Sequence, residues 1–279
     1  MAALLAKGPV LKMKARLEGN SAIYSLPIGE QLQDMNSLIG KVLRLDFQQQ
    51  INCVHCGRLT KKSFNQGFCY PCFQRLAQCD LCIMSPERCH YDAGTCREPE
   101  WGESHCMVDH FVYLANSSGL KVGITRGTQL PTRWIDQGAV EGVPIFRVST
   151  RYQSGLVETI YKSHVADKTS WQAMLKGEPD HVDLLARRDE LMAVCGEQIA
   201  ELQQRFGLQA IQPIIDIAPQ KIDFPVSQYP LKVKSFNLDK VPLVEGVLLG
   251  IKGQYLIFDS GVINIRKYAG YHIELSSES

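Results

Sequence analysis

Residues 109–139, DHFVYLANSSGLKVGITRGTQLPTRWIDQGA, predict the central unit of the fold. The mostly apolar segments 110–115 and 120–125 flank the turn residues 116–119, a pattern typical of a β-hairpin. Pro131 suits the first turn of a helix, because its fixed φ and missing N–H are tolerated there. We therefore expect a strand, a turn, a strand and a helix in that order.

The segment that follows predicts one more strand and two helices. Residues 143–150 read as a strand, and residues 155–166 as a helix that carries Glu158. From 179 to 206 apolar residues recur at spacings of three, four and seven, which predicts a long amphipathic helix. Cys195 lies on its apolar face, so we interpret it as a core residue.

Both ends of the chain alternate apolar segments with turn residues, which predicts short antiparallel strands. The predicted strands are 10–17, 22–26, 38–47, 231–236, 243–251, 254–259 and 262–265. Five prolines between Gly207 and Leu243 exclude a long helix there and predict an extended connector. We expect the two ends to pair in one sheet or barrel that frames the middle of the chain.

The composition limits the classes of function. The 279 residues include 30 Lys and Arg against 29 Asp and Glu, so no whole-molecule positive field attracts a polyanion. Any nucleic acid must be bound by a local patch. The chain has no apolar run of about 18 residues, and residues 1–16 lack the features of an export signal. We expect a cytoplasmic protein with no membrane partner.

Nine of the ten cysteines lie between Cys53 and Cys106, which marks a local metal-binding device. Two C-x-x-C pairs, Cys53 with Cys56 and Cys69 with Cys72, supply four thiolates for a tetrahedral structural Zn²⁺. Disulfides and unligated thiols are the alternatives, but paired spacing without an export signal favours metal.

A second cysteine cluster follows directly and predicts a second structural Zn²⁺. Cys79 and Cys82 form the obvious C-x-x-C pair. The possible closing ligands are Cys89, Cys96 and Cys106, with His90 and His105 as lesser candidates. We favour Cys96 and Cys106 as the closing pair.

The first cysteine module also carries a local positive charge. Between Phe47 and Cys79 the cationic residues, with no acid among them, are Arg58, Lys61, Lys62 and Arg75. Four aromatic residues are interleaved with them. Basic charge with aromatics is typical of phosphate contact and base stacking, so we expect nucleic acid to contact Arg58, Lys61 and Lys62. A solvated charged face with packed phenylalanines is the alternative.

Residues 109–168 resemble the GIY-YIG nuclease superfamily. The resemblance rests on Phe111-Val112-Tyr113, Lys121-Val122-Gly123, Arg133 and Glu158, in that order. The KVGITR form is similar to a divergent branch that has lysine where the founding members have tyrosine. The whole layout also resembles a bacterial zinc-ribbon family of unknown function.

The superfamily resemblance implies phosphodiester hydrolysis with one divalent metal ion. Glu158 would bind Mg²⁺ or Mn²⁺, and Arg133 would hold the phosphate. Tyr113 would assist deprotonation of the attacking water. Lys121 departs from the founding motif and would stabilise an anion or lower the pKa of Tyr113. Arg126 adds to the positive charge, so we also expect it to contact nucleic acid.

Structural roles for the same residues are open alternatives. Tyr113 is then a packed core tyrosine, Lys121 a solvated charge, and Arg133 forms a structural ion pair with Glu158.

We expect an α+β chain with five regions. They are a β-rich region (1–50), a double zinc-binding module (51–108), a GIY-YIG nuclease-like domain (109–178), an amphipathic helix (179–206), and a proline-rich connector with a C-terminal β-rich region (207–279). The expected function is that of a metal-dependent nucleic-acid phosphodiesterase with substrate binding by the zinc ribbon. The alternatives are an inactive nucleic-acid-binding or regulatory protein on a nuclease-like scaffold, and a protein–protein adaptor.

Overall fold

The computed structural model describes residues 3–165 and 170–278, which form fourteen strands and seven α-helices. The strands are β1 (Ala3–Pro9), β2 (Lys14–Glu18), β3 (Ser21–Ile28), β4 (Gln31–Asp34), β5 (Val42–Ile51), β6 (His110–Asn116), β7 (Leu120–Arg126), β8 (Glu141–Val148), β9 (Ile211–Pro213), β10 (Gln220–Lys221), β11 (Leu243–Lys252), β12 (Tyr255–Phe258), β13 (Gly261–Asn264) and β14 (Tyr271–Ser277). The helices are α1 (Tyr70–Arg75), α2 (Pro99–His105), α3 (Thr132–Asp136), α4 (Arg151–Lys162), α5 (Trp171–Met174), α6 (Leu184–Val194) and α7 (Gly196–Phe206). None of these helices has the length and apolar character that crossing a membrane requires.

The two ends of the chain pair in one six-stranded sheet, in the order β1–β14–β5–β11–β12–β13. All the pairings in this sheet are antiparallel. Leu45 of β5 and Leu275 of β14 are fully buried cross-strand partners, because alternate residues of each strand face the core. A separate sheet of β2, β3 and β4 packs on the same core through Tyr24. The predicted pairing of the two ends is confirmed.

The central unit is a second antiparallel sheet, ordered β10–β8–β6–β7, with β9 also paired to β8. The predicted hairpin is confirmed, since β6 pairs with β7 from His110 opposite Arg126 to Asn116 opposite Leu120. Tyr113 lies in the same hydrophobic cluster as the core of the terminal sheet. The two sheets therefore share a core, which holds the hairpin against both ends of the chain.

Several elements differ from their predictions. The predicted strand 10–17 is a strand only from Lys14 onward, and β1 precedes it. The predicted helix 179–206 is two helices, because Cys195 takes φ −91° and ψ 1° and ends α6 directly before Gly196. Cys195 is fully buried in the core, as predicted. Segment 231–236 forms no regular strand and contributes only a bridge from Ser235 to Val262. The predicted helix 155–166 starts earlier, at Arg151, and Ala166 lies outside the described residues.

His110, the first residue of β6, makes stability depend on pH. Its Nδ1 lies 2.7 Å from the Val108 carbonyl oxygen, to which it donates. Burial is the main cause that lowers the pKa of the imidazole from 6.5 to about 4. Because the unfolded chain takes up this proton at a higher pH, the folded state loses stability as the pH falls from 6.5 towards 4, by at most about 3 kcal/mol.

We expect His110→Asn, which keeps a donor for Val108, to lose less stability than the wild type on acidification. The measurement is chemical denaturation of both proteins between about pH 7 and pH 5. An identical pH dependence of the two unfolding free energies would contradict the assignment.

Candidate metal centre and basic cleft

The four cysteines of the first cluster converge on one point. The sulfur atoms of Cys53, Cys56, Cys69 and Cys72 all lie within 4.8 Å of one another, and Cys56 Sγ is 3.8 Å from Cys69 Sγ. All four are free thiols. This is the donor set of a structural zinc site, so the cluster could hold a Zn²⁺ ion.

Backbone turns bring the two cysteine pairs together. Gly57 takes φ 70° and donates its N–H to the Cys53 carbonyl oxygen (2.9 Å), which closes the first turn. A tight hairpin joined by two hydrogen bonds between Phe64 and Phe68 returns the chain to Cys69. Burial opposes ionisation of Cys53, but backbone N–H groups directed at its sulfur lower the pKa of the thiol. The backbone thereby favours the thiolate form that binds metal.

The second cluster differs from its predicted ligand set. Cys79, at the end of the turn Ala77–Cys79, belongs to the same hydrophobic cluster as Cys53, Cys69 and Cys72. A separate cavity of about 20 Å³ is lined by four other thiols, those of Cys82, Cys89, Cys96 and Cys106. The structure therefore brings the predicted Cys82, Cys96 and Cys106 together with Cys89 and does not bring Cys79 to the cavity.

A different group of possible ligands lies beside that cavity. Single donor atoms of Asp80, Cys82 and His90 lie within 4.8 Å of one another. The Asp80 carboxylate already accepts from the Arg97 Nε (2.8 Å) and from the Leu81 N–H (2.6 Å).

A cleft of about 500 Å³ lies between the central unit, the cysteine module and the terminal sheet. The predicted residues Lys121, Arg133, Glu158 and Arg126 all line it. The cationic side chains that line it in the described part of the chain are Lys12, Lys121, Arg126, Arg133, Arg151, Lys162 and Arg266. The acidic lining residues among the described residues are Asp136 and Glu158, so the cleft carries a local excess of positive charge that the near-neutral composition conceals.

Helix α4 positions Glu158 at the cleft. The helix begins with a capping box, in which Thr150 and Gln153 satisfy each other's backbone N–H groups. Glu158 lies two turns further on, with a side chain 12% exposed and 3.5 Å from the Lys162 ammonium. A mostly buried carboxylate at a cationic cleft is positioned to hold a cation or to balance these positive groups.

Tyr113 lies beneath the cleft floor and is fully buried. The Gln137 amide lies between Tyr113 and Arg133; because Arg133 only donates, the amide oxygen faces its guanidinium (3.3 Å) and the amide nitrogen faces the tyrosine hydroxyl (2.8 Å). Burial raises the pKa of the Tyr113 phenol. In this structure Tyr113 supports Arg133 through Gln137.

Gly123 is required by the ring of Tyr113, its cross-strand partner. A Cβ at Gly123 would lie 2.5 Å from the Tyr113 hydroxyl oxygen and 2.6 Å from its ring.

We expect Gly123→Ala to destabilise the fold by about 1–3 kcal/mol through overpacking. Urea denaturation measures the change, and Gly119→Ala is not a suitable control because its φ is positive. Gly177→Ala, where a Cβ meets open space, is the control and should cost less; equal losses would contradict the packing argument.

Two further arginines line the cleft, Arg151 and Arg266, and neither belongs to the residues on which the superfamily resemblance rests. Arg266, in the turn after β13, donates from Nε to the Gln66 side-chain oxygen of the cysteine module (2.6 Å). Burial and nearby Arg133 lower the pKa of Arg266. Arg151, at the start of α4, donates to the Ile83 carbonyl oxygen (2.6 Å), and burial lowers its pKa.

Sequence reasoning missed Lys12, Lys162 and Arg266. Lys12 forms an ion pair with Asp136 (2.7 Å), whose other carboxylate oxygen accepts from Gln254 (2.8 Å). Lys12 and Arg266 come from opposite ends of the chain and meet at the cleft only because the ends pair in one sheet, whereas Lys162 lies on α4, one turn after Glu158. The signals in the sequence were the pair Arg266–Lys267 directly after a predicted strand and the four-residue spacing of Glu158 and Lys162.

The basic residues of the first cysteine module lie elsewhere. Arg58, Lys61 and Lys62 are exposed and do not line the cleft, to which the module contributes Gln66. The Lys62 ammonium instead lies over the Phe64 ring, 5.3 Å from its centroid. These three residues form a separate exposed basic surface.

The carboxylates that line the cleft are possible ligands for a hard divalent cation. Asp136 pairs with Lys12 at 2.7 Å and Glu158 pairs with Lys162 at 3.5 Å, so Glu158 has the longer of the two lysine contacts. Mg²⁺ commonly binds through one or two carboxylates together with substrate phosphates and water. Glu158 with a bound phosphate would complete such a set.

These features define a mixed α and β protein with a four-cysteine cluster that could hold zinc and with a cationic cleft. Residues 40–273 match the family model described as protein of unknown function (DUF2797), and the chain belongs to that family. No curated protein and no solved structure matches the chain significantly.

Proposed function

We propose that this protein binds the phosphodiester backbone of a nucleic acid in the cleft and hydrolyses it with the help of a divalent metal ion. The observation that carries the proposal is the convergence of Lys121, Arg133 and Glu158 on one cleft with five further cationic side chains. Cations that repel one another at close range favour a bound polyanion. A volume of about 500 Å³ suits a ligand of about one nucleotide with its phosphates.

Each residue has a role that follows from its position. Arg133, held by Gln137, binds a phosphate oxygen and the charge that develops on it. Lys121 and Arg126 extend the positive surface along β7. Glu158 holds Mg²⁺ or Mn²⁺, which supplies Lewis-acid chemistry when bound. The order of these residues is the one that resembles the GIY-YIG nuclease superfamily.

The exposed basic surface of the cysteine module is a second contact region in this proposal. Arg58, Lys61 and Lys62 lie on the same module as Gln66, which lines the cleft. A nucleic-acid strand leaving the cleft on that side would meet them. Zinc at the first site would then act by keeping this surface folded.

Binding without turnover is the second candidate function. Its supporting observation is the complete burial of Tyr113, because a phenol that cannot reach solvent cannot deprotonate an attacking water. The ion pair between Lys162 and Glu158 fits the same function, since the carboxylate then balances charge. The protein would in that case recognise nucleic acid on a nuclease-like scaffold.

Both candidate functions require nucleic-acid binding in the cleft. The test of this binding is the affinity of Lys121→Ala and Arg133→Ala for labelled DNA and RNA as a function of salt. We expect each variant to bind more weakly than the wild type. The negative slope of log K against log salt should become shallower by about one, because each variant removes one phosphate contact. Arg187→Ala, on α6 and paired with Glu190, is the matched control and should bind as the wild type does. Unchanged affinity and slope in both cleft variants would contradict the proposal.

A further inference from the structure

We propose that Cys82, Cys89, Cys96 and Cys106 form a second tetrathiolate site for Zn²⁺, distinct from the predicted set that included Cys79. The four side chains line one small cavity of about 20 Å³, where Cys106 is buried and the other three are half-buried. Such a volume is close to that of a single water-sized sphere, and all four thiols are free. These four thiols supply the donor set of a tetrahedral Zn²⁺. No three of their sulfur atoms lie within 4.8 Å of one another in the structure, so zinc–sulfur bonds of ~2.3 Å would draw them inward around the cavity.

The segment that carries these cysteines has no apolar core to hold it. Residues 80–108 contribute nothing to the four hydrophobic clusters found in the described part of the chain. Their regular structure is limited to short turns and the seven-residue helix α2. A segment of this kind needs another source of folding free energy, and a bound metal supplies one.

The neighbouring carboxylate and imidazole are poor competitors for the ion. Asp80 uses both carboxylate oxygens to accept hydrogen bonds, one of them from the cationic Arg97 at 2.8 Å. His90 Nδ1 lies 2.8 Å from the Thr95 hydroxyl, and its Nε2 lies 3.4 Å from Asp80. Both groups are thus engaged beside the thiols, where they can orient the Cys82 loop.

This second site supports a wall of the basic cleft. Ile83, next to Cys82, lines the cleft, and its carbonyl oxygen accepts from Arg151 (2.6 Å). The Cys106 carbonyl oxygen accepts from the Arg151 N–H (2.8 Å) at the start of α4. A Cβ on Gly155 of α4 would lie 2.6 Å from the Glu87 nitrogen, so the helix and this segment are in close contact.

The test is the zinc content of the intact, natively purified chain and of single Cys→Ser variants. We expect about two equivalents in the wild type and about one in Cys89→Ser. Cys79→Ser is the matched control and should keep both ions. One equivalent in the wild type, or loss of an ion from Cys79→Ser with both kept in Cys89→Ser, would overturn the proposal.

Zinc X-ray absorption of the wild type decides the case in which Cys89→Ser fails to fold. We expect only sulfur neighbours at ~2.3 Å around zinc that is present at about two equivalents. A shell of nitrogen or oxygen neighbours would overturn the proposal in favour of Asp80 and His90.

Discussion

Replacing Glu158 by glutamine will slow the cleavage of nucleic acid by about 10²–10³-fold without weakening its binding. The substitution keeps the size of a side chain that is 12% exposed and leaves one oxygen to accept from Lys162, so the fold is retained. It removes the carboxylate that would hold the divalent ion, and loss of such electrostatic stabilisation typically slows the chemical step by about 10²–10³-fold. Binding should be equal or tighter, because one of only two negative charges in the cleft is lost.

The measurement is cleavage under single-turnover conditions, with equilibrium binding followed in EDTA. Glu201→Gln, on the exposed face of α7 and away from the cleft, is the matched control and should cleave at the wild-type rate. Persistent cleavage by Glu158→Gln would remove Glu158 from the metal role. Wild-type binding with no cleavage in either protein would select the binding function.

Loss of metal from the first site will unfold the cysteine module and leave the terminal sheet folded. In Cys69→Ser the site keeps three thiols, and the free energy lost is large because structural zinc sites in small modules contribute about 10–16 kcal/mol. The neighbouring hydrophobic cluster is small and is itself built largely from the ligand cysteines. Strands β5 and β14 bury a separate core and should keep their protection.

Hydrogen exchange resolved by peptide measures this result, with zinc content measured on the same samples. We expect protection to be lost across residues 52–79 in Cys69→Ser and in wild type treated with chelator. Cys195→Ser makes the same substitution at a buried position far from any proposed ion, so it should keep its zinc and its protection there. Native protection of residues 52–79 in the metal-free protein would contradict a structural role for zinc.

The local elements were predictable because their signals are local. The β6–β7 hairpin follows from two apolar segments around a turn, and the first metal site from the spacing of its cysteine pairs. The pairing of the two ends was predictable because both ends carry the alternating apolar segments and turn residues of short strands. The break at Cys195 was not, because the apolar period continues through it while the backbone does not.

The set of residues that lines the cleft depends on tertiary contacts, which no local sequence pattern predicts. Lys12 and Arg266 are distant in sequence from Arg133 and meet it only through the shared sheet. Whether Cys89 or Cys79 lines the second thiol cavity depends likewise on one short turn, Ala77–Cys79, after which Cys79 packs with the first cysteine cluster. The spacing of cysteines along the sequence predicts which residues are possible ligands. It does not predict which of two adjacent clusters each cysteine joins.

The most direct test of the account is binding of wild-type protein to a panel of labelled single-stranded, duplex and branched DNA and RNA at about 50 mM and 200 mM salt. Each reaction is repeated with Mg²⁺, Mn²⁺ and EDTA, and both binding and cleavage are scored. The account predicts binding that weakens steeply with salt, together with cleavage that requires the divalent ion. No binding to any member of the panel at the lower salt concentration would contradict the assignment of the cleft to nucleic acid.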